Sequence, residues 1–219
     1  MNSRLHDGLR LLVLGLALGT LLASEAQALS PHIRDGWLFG VSYGYGRGKA
    51  SLFPGDIENQ TESGWQRGAV PQYRIGHIII KNRLMLSFEN RQWLYETGFL
   101  VDDKGRVNIQ NWTFALSYYP GKPTSMAGGI YLQAGAGWAN ARLTFLEPLE
   151  DDPWGNKFEE IEVWDEAGTG FFIGGGYEFR ITPGVGAGLA VSYVYQSIGG
   201  EIFDKAWSFP ATITLNWYW

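Results

Sequence analysis

The C-terminal stretch WSFPATITLNWYW, residues 207–219, decides the fold class of this chain. Apolar side chains occupy every second position in it, and the positions between them are mostly small or polar. Successive side chains of a β-strand point to opposite faces. The stretch therefore predicts a strand with one apolar face and one polar face.

The same alternation occurs in seven further segments upstream. Between residues 111 and 118, for example, Trp112, Phe114 and Leu116 share one parity, whereas Thr113 and Ala115 share the other. The seven segments are residues 36–48, 72–79, 84–89, 111–118, 130–138, 171–180 and 185–196. We therefore expect an all-β domain of eight antiparallel strands.

Eight such strands fit either a soluble sandwich or a membrane barrel. The chain has 219 residues, of which 45% are hydrophobic and 15% aromatic, with 30 glycines. On one face of the predicted strands the side chains are small or polar enough to fill a narrow lumen. On the other face they form an apolar band rich in aromatic side chains, as lipid contact requires. A closed barrel leaves no unpaired strand edge in lipid. The pattern favours an eight-stranded up-and-down transmembrane β-barrel.

Composition excludes several other classes of protein. The chain has no cysteine, which excludes disulfide scaffolds, thiol nucleophiles and cysteine metal sites. Its formal net charge of −5 argues against a nucleic-acid partner, because such proteins normally carry a basic face.

The connections between the predicted strands alternate in length. The odd connections are long, at residues 49–64, 98–108, 143–167 and 198–205, and the even ones are shorter, at residues 81–82, 120–127 and 182–184. Outer-membrane barrels have long outside loops and short periplasmic turns. Asn90 and Gln92 fall on the lipid-facing parity of the third strand, so we expect a bulge or an early membrane exit near Phe88.

The run GGGYEFRITPG at residues 174–184, followed by AVSYVY at 190–195 and a closing aromatic strand, resembles the eight-stranded outer-membrane β-barrel superfamily. OmpA-like transmembrane domains, OmpX and OmpW belong to it. The resemblance implies an outer-membrane location among lipid and lipopolysaccharide. The terminal Trp217 and Trp219 resemble the signal read by the barrel-assembly machinery, which implies that machinery as a partner. Function stays open, because one fold hosts many functions.

The first 28 residues are predicted to be a cleaved signal peptide. Arg4 and Arg10 precede an apolar stretch at residues 11–23, and Ala26 and Ala28 supply the small residues of a cleavage site. The apolar stretch is too short for a membrane-spanning helix. We expect one barrel domain at residues 29–219.

No catalytic residue, metal site or cofactor is assigned. His32 precedes the first strand, and His77 shares the parity of the lipid-facing Ile75 and Ile79. A histidine base needs a serine or carboxylate within reach, and the sequence shows none beside His77. Lipid A 3-O-deacylase barrels resemble this chain in size and carry a His-x-Ser step, but Tyr195 stands where their histidine would be, two residues before Ser197. A lipid A-modifying acyl hydrolase is therefore the alternative.

Five charged residues are expected to face the lumen. Both signs are represented, by Arg74, Glu89, Arg91, Glu178 and Arg180. One interpretation is an internal ion-pair network that plugs the barrel, since a buried charge is costly without a partner. The other is a narrow channel for small solutes. An eight-stranded interior is just wide enough for side chains to fill, which favours the network.

The segment at residues 143–167 is strongly acidic, and we expect it to be an outside loop. Its carboxylates include Glu150, Asp151, Asp152, Glu159, Glu160 and Glu162. Such runs are usually solvated loops, but grouped carboxylates also suit a divalent cation or a basic surface partner. No EF-hand spacing is present. The sequence thus favours a non-enzymatic, porin-like or structural outer-membrane barrel whose outside loops are available for binding.

Overall fold

The structure is a computed structural model that describes residues 31–52, 64–98, 104–148 and 158–219. Nine strands and one short 3-10 helix, Met126–Gly129, account for nearly all of these residues. The strands are β1 Trp37–Leu52, β2 Gln66–Ala69, β3 Gln72–Ile80, β4 Leu84–Gly98, β5 Lys104–Tyr118, β6 Ile130–Pro148, β7 Phe158–Thr182, β8 Val185–Ser197 and β9 Phe203–Tyr218. The predicted signal peptide lies outside the described residues and stays a prediction.

The strands form one closed antiparallel ring. From β3 to β9 each strand pairs with the next one in the chain, β1 pairs with both β2 and β3, and β1 pairs with β9 from Leu38 opposite Tyr218 to Leu52 opposite Phe203. Both β2 and β3 lie between β1 and β4, so they share one position in the ring. The two pieces are separated at Pro71, which has no backbone N–H to donate. The ring therefore has eight positions, which confirms the predicted all-β barrel.

The two faces of the barrel wall differ as the alternation predicts. Large apolar side chains point outward and stay exposed, for example Tyr43, Phe114, Ile173 and Ile213. The intervening side chains point inward and are buried, and many of them are polar. An apolar exterior around a polar interior is the inverse of a soluble protein and matches a barrel in lipid. No helix among the described residues is long and apolar enough to cross a membrane.

The apolar outer band has a sharp boundary on β4, β5 and β6. Asn90, Trp112 and Trp138 lie side by side in the register of these strands. The Phe88 ring lies 5.5 Å from that of Trp112 and 5.8 Å from that of Trp138. Beyond this row, the outward positions of the three strands are mostly polar, with Leu94 of β4 as an exception. Pairing of β4 with β5 runs without interruption from Leu84 to Gly98, so the expected bulge near Phe88 is wrong and the membrane exit is the alternative that remains.

The strands extend further than the sequence pattern predicted. Residues 143–148 and 158–167, expected in a loop, belong to β6 and β7, and β4, β5 and β1 likewise reach into the predicted loops. Beyond the apolar band, the apolar side chains of the alternating pattern switch from the outer face to the inner face. The sequence pattern therefore did not predict these extensions as strands. We call the end with residues 31–36 and Trp219 the terminal end, and the opposite end the loop end.

Candidate functional site

The barrel interior is the part of the molecule with the most buried polar groups. Four arginines and two glutamates are among them, namely Arg34, Arg74, Arg91, Arg180, Glu89 and Glu178. The glutamates organise two separate clusters, one near the terminal end and one deeper in the barrel. Charges removed from water need close partners, so the contacts of each carboxylate define what the interior can do.

Glu178 of β7 is the centre of the first cluster. Its Oε1 lies 3.3 Å from Arg34 Nη2 and 3.4 Å from Arg180 Nε. Its Oε2 accepts hydrogen bonds from Tyr218 Oη at 2.7 Å and from Asn216 Nδ2. Both carboxylate oxygens therefore have partners, two of them cationic.

Arg34 brings the segment before β1 into the barrel. Its Nη1 donates to the carbonyl oxygen of Gly128 at 2.9 Å, and its backbone N–H donates to Asn82 Oδ1 at 2.6 Å. The backbone N–H of His32 donates to the carbonyl oxygen of Pro123 at 2.7 Å. The segment thus crosses the terminal end of the barrel, held by β7 and by two turns.

His32 is buried in this segment and lies 6.3 Å from the Tyr177 ring, centroid to centroid. Burial, and after it the nearby guanidinium of Arg34, lowers the pKa of His32. Both causes disfavour the charged imidazolium. The neutral form is therefore the one that fits this position.

Glu89 of β4 is the centre of the second cluster. It accepts hydrogen bonds from Arg91 Nη2 at 2.7 Å, Ser87 Oγ at 2.8 Å, Gln72 Nε2 at 3.3 Å and Gln133 Nε2. Arg91 also donates to Gln133 Oε1 at 3.1 Å. Glu89 thus links β3, β4 and β6 across the lumen.

Each of the four buried arginines lies over an aromatic ring. The guanidinium carbon is 3.8 Å from the ring centroid for Arg34 over Tyr119, 3.6 Å for Arg91 over Phe172, and 3.5 Å for Arg180 over Tyr218. For Arg74 over Tyr131 the distance is 6.0 Å, and Arg74 Nη2 donates to Asn216 Oδ1 at 3.0 Å. Ring faces attract cations. They therefore compensate part of the excess of guanidinium over carboxylate groups.

The loop end of the interior is apolar. Trp93, Ile109, Leu143 and Phe203 are buried there in one cluster with eight other residues. Trp93 and Tyr95 rings lie 4.5 Å apart. The interior thus changes from charged clusters near the terminal end to a packed apolar core at the loop end.

The predicted site residues fall into three groups. The five predicted lumen charges all face inward, Arg91 with Glu89, Arg180 with Glu178, and Arg74 with Asn216. Trp217 and Trp219 lie at the end of β9, where the backbones of Trp219 and Trp37 exchange hydrogen bonds. Of the acidic set, Glu150, Asp151 and Asp152 lie outside the described residues, and only the backbone of Glu159, Glu160 and Glu162 is described, in β7.

The serine and the histidines considered as catalytic residues lie at opposite ends of the barrel. Ser197 is exposed at the loop end of β8. His32 and His77 lie near the terminal end, His77 on the outer wall with its ring 4.9 Å from that of Trp37. Among the described residues, no group of His, Asp and Glu side chains is arranged to hold a metal ion.

Sequence reasoning missed Arg34, the aromatic partners of the arginines and the apolar core. The parity of β1 continues upstream through Leu38, Gly36, Arg34 and His32, which would have placed Arg34 inside. The core was missed because residues such as Leu143 were assigned to loops.

The geometry defines a closed eight-stranded barrel of the outer-membrane type, with an apolar outer band. No protein-family model matches the chain, and no curated protein matches it in sequence.

Solved barrel structures are similar to this chain in fold. Neisserial surface protein A is 17% identical with a TM-score of 0.50, over 83% of this chain and 97% of that protein. Ail of Yersinia pestis is 15% identical with a TM-score of 0.45, over 82% and 99%. The N-terminal β-barrel domain of Pseudomonas aeruginosa OprF is 14% identical with a TM-score of 0.41, over 84% and 98%. The likeness to Neisserial surface protein A shows the fold, that of the eight-stranded outer-membrane β-barrels.

Proposed function

We propose that this chain is a non-enzymatic outer-membrane β-barrel protein with a closed interior, and that its loop end is the surface that binds partners. The observation that carries the proposal is the filling of the lumen. The segment around Arg34 crosses the terminal end beside the Glu178 cluster, the Glu89 cluster lies deeper, and the apolar core fills the loop end. A channel needs a continuous polar path, and the described interior is interrupted by the core.

The outer wall supports the membrane location. Its exposed side chains between the two ends are mostly apolar, and tryptophans lie near both boundaries of the band, with Trp37 and Trp217 at one and Trp138 at the other. Such aromatic girdles mark the two interfaces of a membrane. Outer-membrane barrels keep both termini in the periplasm, so the terminal end faces the periplasm and the loop end faces outside.

The separation of Ser197 from both described histidines argues against acyl transfer. A serine nucleophile needs a general base within hydrogen-bond reach. Tyr195, which stands in place of a histidine, packs on the outer wall with its ring 5.2 Å from that of Phe171. The lipid A hydrolase alternative therefore has no described catalytic pair.

Mass spectrometry of lipid A tests the non-enzymatic claim. Outer membranes are compared from cells that produce the wild type, the Ser197→Ala variant or neither. We expect the same lipid A species in all three. Loss or gain of an acyl chain with the wild type alone would show that the barrel is an enzyme.

Swelling of protein-loaded liposomes in solutions of small sugars tests whether the barrel lumen is closed. We expect no swelling.

The acidic segment at residues 143–167 is a second candidate site within this function. Glu147 and Glu159 occupy directly opposed register positions on β6 and β7. Carboxylates grouped along the sequence suit a divalent cation or a basic partner. Calcium titration followed by tryptophan fluorescence tests it, and no change at millimolar ion would refute it.

The barrel-assembly machinery as a partner of Trp217 and Trp219 is tested by Trp219→Ala, which should lower the amount assembled.

A further inference from the structure

The buried charges inside the barrel do not balance. Among the described residues, four arginines stand against two glutamates, which is an excess of two positive charges. In the Glu89 cluster, Arg91 and Glu89 form an ion pair at 2.7 Å and offset each other. The other three arginines therefore share one carboxylate, that of Glu178.

Arg74 has the weakest compensation of these three arginines. Arg34 and Arg180 each contact Glu178 Oε1 directly. Arg74 instead donates to the side-chain amide of Asn216, which in turn donates to Glu178. The guanidinium carbon of Arg74 is also 6.0 Å from the centroid of its ring partner, compared with 3.8 Å for Arg34 and 3.5 Å for Arg180. The attraction of a ring face falls with distance, so Arg74 keeps the largest uncompensated charge.

The three guanidinium groups also carry N–H donors without acceptors. Within the part of the chain that the structure describes, Arg74 Nε, Arg34 Nε and Arg180 Nη2 have no hydrogen-bond partner. All three side chains are almost fully buried, with 3% of Arg74 and 1% of each of the others exposed. A buried donor without an acceptor costs free energy, and a buried charge without a counter-charge costs more.

Both buried carboxylates are already engaged by other donors. Glu89 is opposite Arg74 in the register of β3 and β4, but it accepts hydrogen bonds from four other side chains. Glu178 accepts from Tyr218 Oη and Asn216 Nδ2, besides its contacts with two arginines. The partner that Arg74 requires is therefore an acceptor that brings its own negative charge.

The packing around Arg74 favours a small anion. A Cβ atom at Gly40 of β1 would lie 2.9 Å from Arg74 Nε, and one at Gly186 of β8 would lie 2.9 Å from the carboxyl carbon of Glu178. The charged side chains thus lie directly against the backbone, and a barrel of eight strands is just wide enough for its side chains. A monatomic ion fits such an interior better than phosphate. Guanidinium is weakly hydrated, which suits an anion that also gives up water readily.

We infer that the Glu178 cluster binds one small monovalent anion of the chloride class, in contact with Arg74 Nε. The anion accepts the hydrogen bond of that N–H and lowers the excess from two positive charges to one, which the ring faces share. This inference goes beyond the closed-barrel function, because a bound anion inside the wall needs no continuous path through the lumen.

Urea unfolding of the full chain in an uncharged detergent tests the inference. The folded fraction is read from heat-modifiable gel migration, in sodium chloride and in sodium gluconate at equal ionic strength and pH. Gluconate has the same charge but is too large for the site. The test variant is Arg74→Gln, and the matched control is Lys81→Gln, which removes an exposed charge from a turn at the terminal end.

An anion that binds only the folded state raises the folding equilibrium constant about tenfold when its concentration is about ten times its dissociation constant. We expect a rise of about this size, from gluconate to saturating chloride, for the wild type and for Lys81→Gln, and none for Arg74→Gln. Equal midpoints of the wild type in the two salts would overturn the inference. The same chloride dependence in Arg74→Gln would also overturn it, because it would reveal a general salt effect.

Crystals of the wild type grown in sodium bromide give a second readout that needs no variant. Bromide replaces chloride in sites of this kind and scatters X-rays anomalously. We expect an anomalous peak within hydrogen-bond distance of Arg74 Nε. A barrel interior without this peak would overturn the inference, even where Arg74→Gln fails to fold.

Discussion

Arg34 and Glu178 form an ion pair at 3.3 Å, with 1% and 0% of their side chains exposed. Arg34 precedes the first strand, whereas Glu178 lies in β7. The pair therefore ties a segment outside the strand pattern to the interior. A buried charge that loses its partner is strongly destabilised, so this contact is expected to hold the segment in place.

Replacement of Arg34 by methionine removes the charge and keeps much of the packing on Tyr119. Glu178 would keep Arg180 and its neutral donors, and we expect a loss of about 3 kcal/mol in the free energy of unfolding. Urea unfolding in detergent micelles, followed by tryptophan fluorescence, measures it. Asp35→Asn is the control, because Asp35 pairs with Lys81 at the surface and should leave unfolding unchanged. Equal midpoints for the two variants would show that the pair does not hold the segment.

Replacement of Glu89 by glutamine leaves the Arg91 guanidinium buried without its carboxylate. We expect a loss of about 3 kcal/mol in the free energy of unfolding. Adding Arg91→Gln should recover part of it, with a coupling of about 1 kcal/mol or more between the two sites. Glu96→Gln on the exposed outer wall of the same strand is the control. Additive effects of the two substitutions would mean that Glu89 and Arg91 do not act as a pair.

Tyr218→Phe removes one hydroxyl and leaves the ring that lies under Arg180. That hydroxyl donates to Glu178 Oε2 at 2.7 Å. A hydrogen bond to a charged group contributes about 2 kcal/mol, and we expect a loss of that size. Tyr118→Phe is the matched control, because Tyr118 faces outward and is 46% exposed. If both variants unfold alike, the hydroxyl of Tyr218 does not stabilise the carboxylate.

The lowered pKa of His32 predicts a dependence of stability on pH. In the unfolded chain His32 takes up a proton as the pH falls through its ordinary value of 6.5, whereas the folded chain resists protonation until the pH is lower. Protons then favour the unfolded state, so stability should fall as the pH drops below 6.5. Melting temperatures at pH 7.5 and 5.5 should differ more for the wild type than for His32→Gln. The control His77→Gln should behave like the wild type; equal pH dependence in His32→Gln would refute the role of His32.

The membrane-embedded wall was predictable because lipid on one side and a narrow lumen on the other enforce strict alternation, as in β9. The ends of the barrel were harder. Beyond Trp112 and Trp138 water replaces lipid, so polar residues such as Gln110 face outward and apolar ones such as Ile109 face inward. That inversion made extended strands resemble loops. Lumen positions of Glu89 and Glu178 followed from parity, but the tyrosine and phenylalanine partners of the arginines depend on contacts across the ring.

Single-channel recording is the sharpest test of a closed lumen. The refolded full chain is inserted into planar lipid bilayers, with insertion verified by heat-modifiable migration of protein recovered from the bilayer lipid. We expect a flat current at both polarities, because the Arg34 segment, the two glutamate clusters and the apolar core fill the lumen. Discrete, reproducible conductance steps from the wild type would contradict it.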